Sequence, residues 1–313
     1  MRCRICGSQA CVDIKRHNTA FCAGCYQDYF RRQVARAIKE ETMFTFDDRL
    51  AVAVSGGKDS LTLWQMLLEM GYQAVGLHLN LGIGDYSALS QEKASAFAQS
   101  RAARLIVVDV ARECGRNITE VSRRTHRNPC SACGLIKRYL LNKAAWEHGF
   151  NVLATGHNLD DEAAVLLGNI LRWQTGYLSR QSPVLPSTHP KLLRRVKPLF
   201  RLTEREVTAC GFLKGVDWVL DECPLDTGST SLKHKETLNR LEGFSPGTKH
   251  SFYLGFLEQG RSRLAASEAV ALGECQSCGQ PTTAAVCAFC RLWQQVESYG
   301  QRPKMTPLAE PQA

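Results

Sequence analysis

The chain has 313 residues, 44% of them hydrophobic, which is enough for one large core domain with smaller appendages. It has neither a basic start followed by an apolar run nor a stretch approaching the roughly 18 apolar residues of a membrane helix, so no membrane partner is expected and the cytoplasm is the default location. Fourteen cysteines in a chain without an export signal argue against a disulfide framework and for metal ligation.

The formal charge is +9, and much of it is clustered: Arg31, Arg32, Arg36 and Lys39; Arg123, Arg124 and Arg127; Lys137 and Arg138; Arg194, Arg195 and Lys197. Any one cluster is equally well a solvated helix face. Four together suit a polyanionic partner such as nucleic acid, because neutralising phosphates releases counterions.

At the N-terminus, Cys3-x2-Cys6, fifteen residues, then Cys22-x2-Cys25 has the spacing of a four-thiolate zinc site. Residues 1–30 therefore read as a zinc finger. Residues 31–270 alternate short β-branched runs with longer helical patterns, as in a parallel sheet with crossover helices. The runs Leu50 to Val54, Ala74 to Leu79, Leu105 to Val110 and Val152 to Thr155 are candidate strands. Between and after them, Lys58 to Glu69, Ser87 to Ala103, Leu135 to His148 and Asp160 to Leu171 are candidate helices, with Gly71 and Gly149 as stops. The expected fold is α/β, a doubly wound parallel sheet.

The first strand runs into Ser55-Gly56-Gly57-Lys58-Asp59-Ser60 and then a helix, which aims backbone amides at an anion. Lys58 adds a point charge, and the Ser55 and Ser60 hydroxyls add donors. This is not a Walker A loop: Asp59 follows Lys58, and Val52 stands where the earlier glycine is required. An ordinary strand-to-helix turn is the bland alternative.

Cys130-Ser131-Ala132-Cys133 supplies only two local ligands, so spacing alone leaves a redox pair and a share in a metal site both open. Ala154-Thr155-Gly156-His157-Asn158-Leu159-Asp160-Asp161-Glu162 again sets a glycine after a strand and acids at a helix start, where the dipole accounts for Asp160 and Glu162. Residues Arg172 to Pro190 read as a loop, Thr203 to Gly211 and Ser231 to Leu241 as helices. Cys275-x2-Cys278, eight residues, then Cys287-x2-Cys290 makes residues 271–295 a second four-cysteine finger, and residues 296–313 read as a disordered tail.

SGGKDS after a strand resembles the pyrophosphate-binding loop of the PP-loop ATP pyrophosphatases (adenine nucleotide alpha hydrolase-like), which activate a carbonyl oxygen by adenylylation. From Cys3 to about Cys290 the order of finger, SGGKDS, CSACGLIKR, TGHNLDDEAA, Cys223-Pro224 and CAFC finger resembles the TtuA family of tRNA 2-thiouridine synthetases, in the TtcA/TtuA branch.

The resemblance implies that Cys130, Cys133 and Cys223 ligate a 4Fe-4S cluster with one open iron, while the two fingers hold zinc. It places ATP on Ser55, Gly56, Gly57, Lys58, Asp59, Ser60 and Gly156, with adenine against backbone at Ala53 and Leu79. It gives Lys137 the charge of the α-phosphate and Asp161 a role in magnesium or proton handling, so that Lys58, Lys137 and Asp161 are the catalytic candidates.

Cys11, Cys114 and Cys210 have no matching role and are treated as structural. The implied partners are tRNA and a ubiquitin-like sulfur carrier ending in a thiocarboxylate; a homodimer is left open. The implied reaction is adenylylation of the T-loop ribothymidine at O2, then displacement of AMP by sulfur at C2. A wobble-uridine thiolase shares these motifs, and a zinc-ribbon RNA-binding protein with an inactive core is the rival from another class. A 2-thiocytidine synthetase lacks the paired fingers, and a lysidine synthetase has no use for the cysteines.

Overall fold

The computed structural model describes residues 1–226, 230–264 and 271–299. In chain order the first elements are β1 (Val12–Ile14), β2 (Thr19–Phe21), α1 (Ala23–Glu40), β3 (Leu50–Ala53), α2 (Lys58–Glu69), β4 (Ala74–Asn80), α3 (Gly84–Ser100), β5 (Leu105–Asp109), α4 (Val110–Cys114) and α5 (Ile118–Thr125). There follow α6 (Pro129–Glu147), β6 (Val152–Thr155), α7 (Leu159–Leu171), α8 (Thr175–Leu178), β7 (Val184–Leu185), β8 (Arg194–Val196), α9 (Glu204–Leu213), α10 (Thr230–Phe244) and α11 (Thr248–Gly255). Beyond these lie β9 (Gly273–Glu274), β10 (Pro281–Thr282) and α12 (Ala288–Glu297).

Six strands form the central sheet in the order β5-β4-β3-β6-β8-β7. All pair in parallel except β7, which closes the edge antiparallel to β8. The first three strands add outward in one direction and β6 starts the other side, so the sheet reverses between β3 and β6. A crevice opens beyond the carboxyl ends of strands at such a switch point. Both glycine-bearing segments, after β3 and after β6, fall there.

Helix α2 shows why the core is deep. Leu61, Leu63, Trp64, Met66 and Leu67 are all fully buried, because the sheet lies on one side and α9 on the other. Each such side chain contributes about 1.5–3 kcal/mol on burial. The Trp64 indole also donates to the Ala74 carbonyl at 2.9 Å, which fixes α2 to the start of β4.

Several elements differ from the sequence-based expectation. Helix α6 begins at Pro129, six residues before the expected Leu135, because Asn128 caps it by accepting from the Cys130 amide at 2.9 Å and Pro129 suits the first helical position. Arg172 to Pro190 contains α8 and β7 rather than loop alone. Cys25 sits in the first turn of α1, which continues to Glu40, so residue 30 lies inside one helix; likewise α12 runs past 295 to Glu297. Residues 300–313, most of the expected tail, lie outside the described residues.

The N-terminal finger is fastened to the core by one buried ion pair, Arg16 to Glu206 at 2.6 Å, with the Tyr29 hydroxyl beside both. The C-terminal finger packs through rings: Tyr139 of α6 stacks on Phe289 at 3.8 Å, and Phe289 on Trp293 at 5.1 Å.

Candidate active site at the sheet switch point

A cavity of about 320 Å³ opens at the switch point, lined by the ends of β3, β4 and β6 and by α3 and α6. Among its lining residues are Ala53, Ser55, Asp59, Ser60, Leu79, Lys137, Gly156 and Asp161, eight positions singled out from the sequence and separated by up to 108 residues in the chain (53 to 161).

The SGGKDS loop is shaped by its own side chains. Ser60 Oγ accepts from the Ser55 amide at 3.1 Å and donates to the Gly57 carbonyl at 3.0 Å. Gly56 has φ +78°, and a Cβ there would lie 2.4 Å from the Ser90 carbonyl oxygen, so only glycine lets α3 close against the loop. Gly156 is as constrained: its Cβ would lie 2.8 Å from the Ser60 amide nitrogen. The two motifs are thus in backbone contact.

Asp161 belongs to a capping box at the start of α7. Asn158 accepts from the Asp160 and Asp161 amides, and Asp161 Oδ2 accepts from the Asn158 amide at 3.0 Å. Its other oxygen lies 2.6 Å from the Lys235 ammonium, which also reaches Glu204 at 3.2 Å. Glu204 pairs in turn with Lys58 at 2.6 Å, and Lys58 with Asp59 at 3.1 Å. Burial pulls Lys58 and Lys235 down, but these carboxylates outweigh it and hold both above the ordinary lysine value.

Lys58 therefore departs from the expected geometry. It points into this charge network rather than lining the cavity, because Asp59 and Glu204 offer it closer counter-charges. Glu204 and Lys235 were not singled out from the sequence; both lie more than 40 residues past Asp161, with no local motif to mark them.

Asp160 and Glu162 are more than dipole partners. Asp160 is buried against Lys249 at 2.6 Å, and Glu162 against Lys197 at 2.7 Å and the Tyr253 hydroxyl at 2.9 Å. Lys249 and Tyr253 thereby anchor α7 to α11 and Lys197 ties it to the end of β8, which corrects the dipole account. These pairs also take Lys197 out of the basic surface. Arg194 is similarly spent, on the Met43 carbonyl at 3.0 Å and Asp48 at 3.8 Å.

His78 was also missed. Its Nδ1 lies 2.9 Å from the Val54 carbonyl, and burial lowers its pKa, so the ring is neutral and donates from Nδ1. Nε2 is then a buried acceptor with no hydrogen-bond partner among the described residues, in a side chain that belongs to the cavity lining.

Along α6, Cys130, Cys133 and Lys137 fall three and four residues apart and share a face. Lys137 reaches both the cavity and the Cys133 thiol, where it opposes the upward shift that burial imposes on that thiol. Cys223 approaches from the loop before α10, close enough for its charge to be felt at Cys130 and Cys133. Leu81, Ile83, Val110, Ile118 and Ile136 form the adjoining apolar wall. Three thiols at a helix N-terminus against apolar side chains fit an anionic iron–sulfur cluster.

The sulfurs of Cys3, Cys6, Cys22 and Cys25 lie within 4.8 Å of one another, as do those of Cys275, Cys278, Cys287 and Cys290. Backbone amides aim at Cys3, whose pKa falls to about 6, and the neighbouring thiols respond by holding Cys25 up, at about 12. Both sets fit a zinc finger's closed four-thiolate shell. Cys11 is exposed, Cys114 half-buried and Cys210 buried, all three outside these sets.

Comparison with known proteins agrees with this geometry. A PP-loop domain model, ATP_bind_3, matches residues 27–228. The tRNA-5-methyluridine(54) 2-sulfurtransferase of Thermus thermophilus is 50% identical, with 98% of this chain and 95% of that one covered. The protein of the same name from Thermotoga maritima is 42% identical over 98% and 100%. Among solved structures, the U34-tRNA thiolase NcsA from Methanococcus maripaludis, with its [4Fe-4S] cluster, superposes with a TM-score of 0.81 at 27% identity, covering 94% of this chain and 96% of that one. With a PP-loop model matching residues 27–228 and relatives 42–50% identical over nearly the whole chain, the chain belongs to the PP-loop family, in the branch of the tRNA-5-methyluridine(54) 2-sulfurtransferases.

Proposed function

We propose that this protein is an ATP-dependent tRNA sulfurtransferase that converts the T-loop ribothymidine to its 2-thio form. The observation that carries this reading is the position of Lys137, on the cavity wall and one turn along α6 from Cys133, so that nucleotide chemistry and cysteine chemistry meet at one helix face.

ATP would lie with its phosphates on the amides of residues 55–60 and at Gly156, and its adenine along Ala53 and Leu79. Asp59, Asp161 and Glu204 outnumber Lys58 and Lys235 by one negative charge, which suits a magnesium ion arriving with the nucleotide. Uracil O2 then attacks the α-phosphorus as the bond to pyrophosphate breaks and N3 gives up its proton. Lys137 would balance charge on the α-phosphate during that step. A donor's sulfide next adds at C2, the C2–O bond breaks, AMP leaves and N3 regains a proton.

Cys130, Cys133 and Cys223 would hold a 4Fe-4S cluster, whose open iron supplies a Lewis-acid site for sulfide when the cluster is bound. Two zinc ions would hold the terminal fingers, residues 1–30 and 271–295, around a catalytic unit of residues 31–270. A ubiquitin-like thiocarboxylate carrier is the proposed sulfur donor, and the cytoplasm the proposed location. Among the described residues, no helix is long and apolar enough to cross a membrane.

The relatives at 42–50% identity carry the position-54 name, whereas the tRNA 2-thiolation protein NcsA of Haloferax volcanii is 28% identical, which favours ribothymidine over the wobble uridine. The test is mass spectrometry of tRNA nucleosides from a deletion strain. Loss of 2-thioribothymidine supports the reading; loss of wobble thiouridine instead would transfer it to the wobble position. Absence of tRNA-dependent pyrophosphate release by the purified protein would return it to an RNA-binding role.

A further inference from the structure

A second groove, of about 300 Å³, runs on another face of α6, between that helix and the C-terminal finger. Its walls carry Arg138 from α6, Arg195 from β8, and Gln280, Thr282 and Thr283 from the finger. No carboxylate is among its lining residues, and neither guanidinium has a hydrogen-bonding or ionic partner among the described residues. That is unlike Arg194 and Lys197, the neighbours of Arg195, which internal acceptors consume.

The strand fixes which residue faces the groove. Arg195 pairs in register with Leu153 on β6 and Leu185 on β7, and side chains alternate along β8, so Arg194 and Val196 point away while Arg195 points toward α6. There burial and the like charge of Arg138 both act against its ionised form. Arg195 is thus a largely buried guanidinium with a like charge and no carboxylate in its groove, an arrangement that an anion held between it and the exposed Arg138 would stabilise. Planar forks of N–H donors suit a phosphate, which each can hold with two hydrogen bonds.

The geometry points to a phosphate-binding groove for the RNA backbone, in which Arg138 and Arg195, roofed by the finger loop from Gln280 to Thr283, clamp tRNA phosphates while the target base enters the Lys137 cavity. The inference rests on the tRNA reading above. RNA is favoured over an acidic protein tail because Arg138 directly follows Lys137 on α6. A base held at Lys137 keeps its own backbone within reach of the next helical face. It also gives the C-terminal finger a role: its stacked rings, Tyr139 on Phe289, hold the roof against α6.

The test is tRNA binding by the full-length, metal-loaded protein across a salt series, for the wild type, Arg138→Gln, Arg195→Gln, the double variant and Arg195→Lys. Each guanidinium lost is expected to lower the slope of log affinity against log salt by about 0.7–0.9, with the lysine variant restoring most of it. ATP binding is the fold control, since neither residue lines the nucleotide cavity. A double variant with intact ATP binding and an unchanged slope would overturn the groove, as would selective loss of sulfur-carrier binding with tRNA affinity retained. A wild type that binds no tRNA at all would overturn the thiolation reading and the groove with it.

Discussion

The Lys235 ammonium on α10 lies 2.6 Å from a carboxylate oxygen of Asp161 on α7, so the acid that faces the nucleotide cavity is neutralised by a residue 74 positions later (161 to 235). Both side chains are largely out of water. Lys235→Met would leave Asp161, Glu204 and Asp59 with only Lys58 between them. A fully buried pair costs about 3–5 kcal/mol to break from one side; with this partial exposure a loss of about 2 kcal/mol is expected in urea unfolding. The affinity for ATP should fall as well, since the unbalanced acids repel the phosphates. Unchanged affinity in equilibrium dialysis would deny Lys235 this role.

Adjacent acids on α7 should separate cleanly into activity and stability. Asp161→Asn keeps an oxygen to accept from the Asn158 amide but removes the charge facing the cavity. It should lower tRNA-dependent pyrophosphate release by at least about 100-fold if the group acts on the reacting phosphates, with only a small fall in melting temperature because Lys235 keeps Glu204 as a counter-charge. Asp160→Asn instead leaves the Lys249 ammonium buried without its counter-charge and should cost about 3–5 kcal/mol of stability. Comparable melting temperatures for the two variants would contradict the division.

Stability should depend on pH through His250. The ring is buried beside Arg16 and donates to the Arg201 carbonyl at 2.8 Å, and burial first, then Arg16, pushes its pKa down from 6.5 to about 4. Between those values the unfolded chain binds the proton and the folded chain does not. Stability from this group is therefore full above pH 6.5 and declines as pH falls toward 4. From pH 6.5 to 5 the loss is about 2 kcal/mol. Urea denaturation at both pH values should show a smaller difference in His250→Gln than in the wild type.

Metal content should be separable by site. The wild type purified without oxygen should contain iron and acid-labile sulfide together with two zinc ions per chain, one for each four-cysteine set. Cys223→Ala should lose the iron and keep the zinc, whereas Cys287→Ser should lose one zinc and loosen the finger against α6, read as increased exchange of the backbone amides around Tyr139. Iron content unaffected by Cys223→Ala would contradict the cluster assignment.

What the sequence determined by itself was local. SGGKDS, the TGHNLDDE segment and the CxxC spacings each specify a chemistry within a dozen or two residues, and the strands around them are apolar runs bounded by turns, so β3, β4, β5 and β6 were legible to within a residue. The start of α6 was less so, because Ser131 and Gly134 weaken a helical pattern that the Asn128-Pro129 cap nevertheless begins.

Tertiary structure decided which charges are spent and which remain open. Sequence grouped Arg194, Arg195 and Lys197 as one basic patch, but strand alternation sends Arg195 one way, and acceptors from Met43, Asp48 and Glu162 claim the other two. Lys58 meets Glu204 only because another helix brings that acid to it, and His78, which no local motif marks, joins the cavity lining only in the folded chain. A side chain's pairing depends on what lies across the fold within about 3 Å. Only the folded chain brings those partners together.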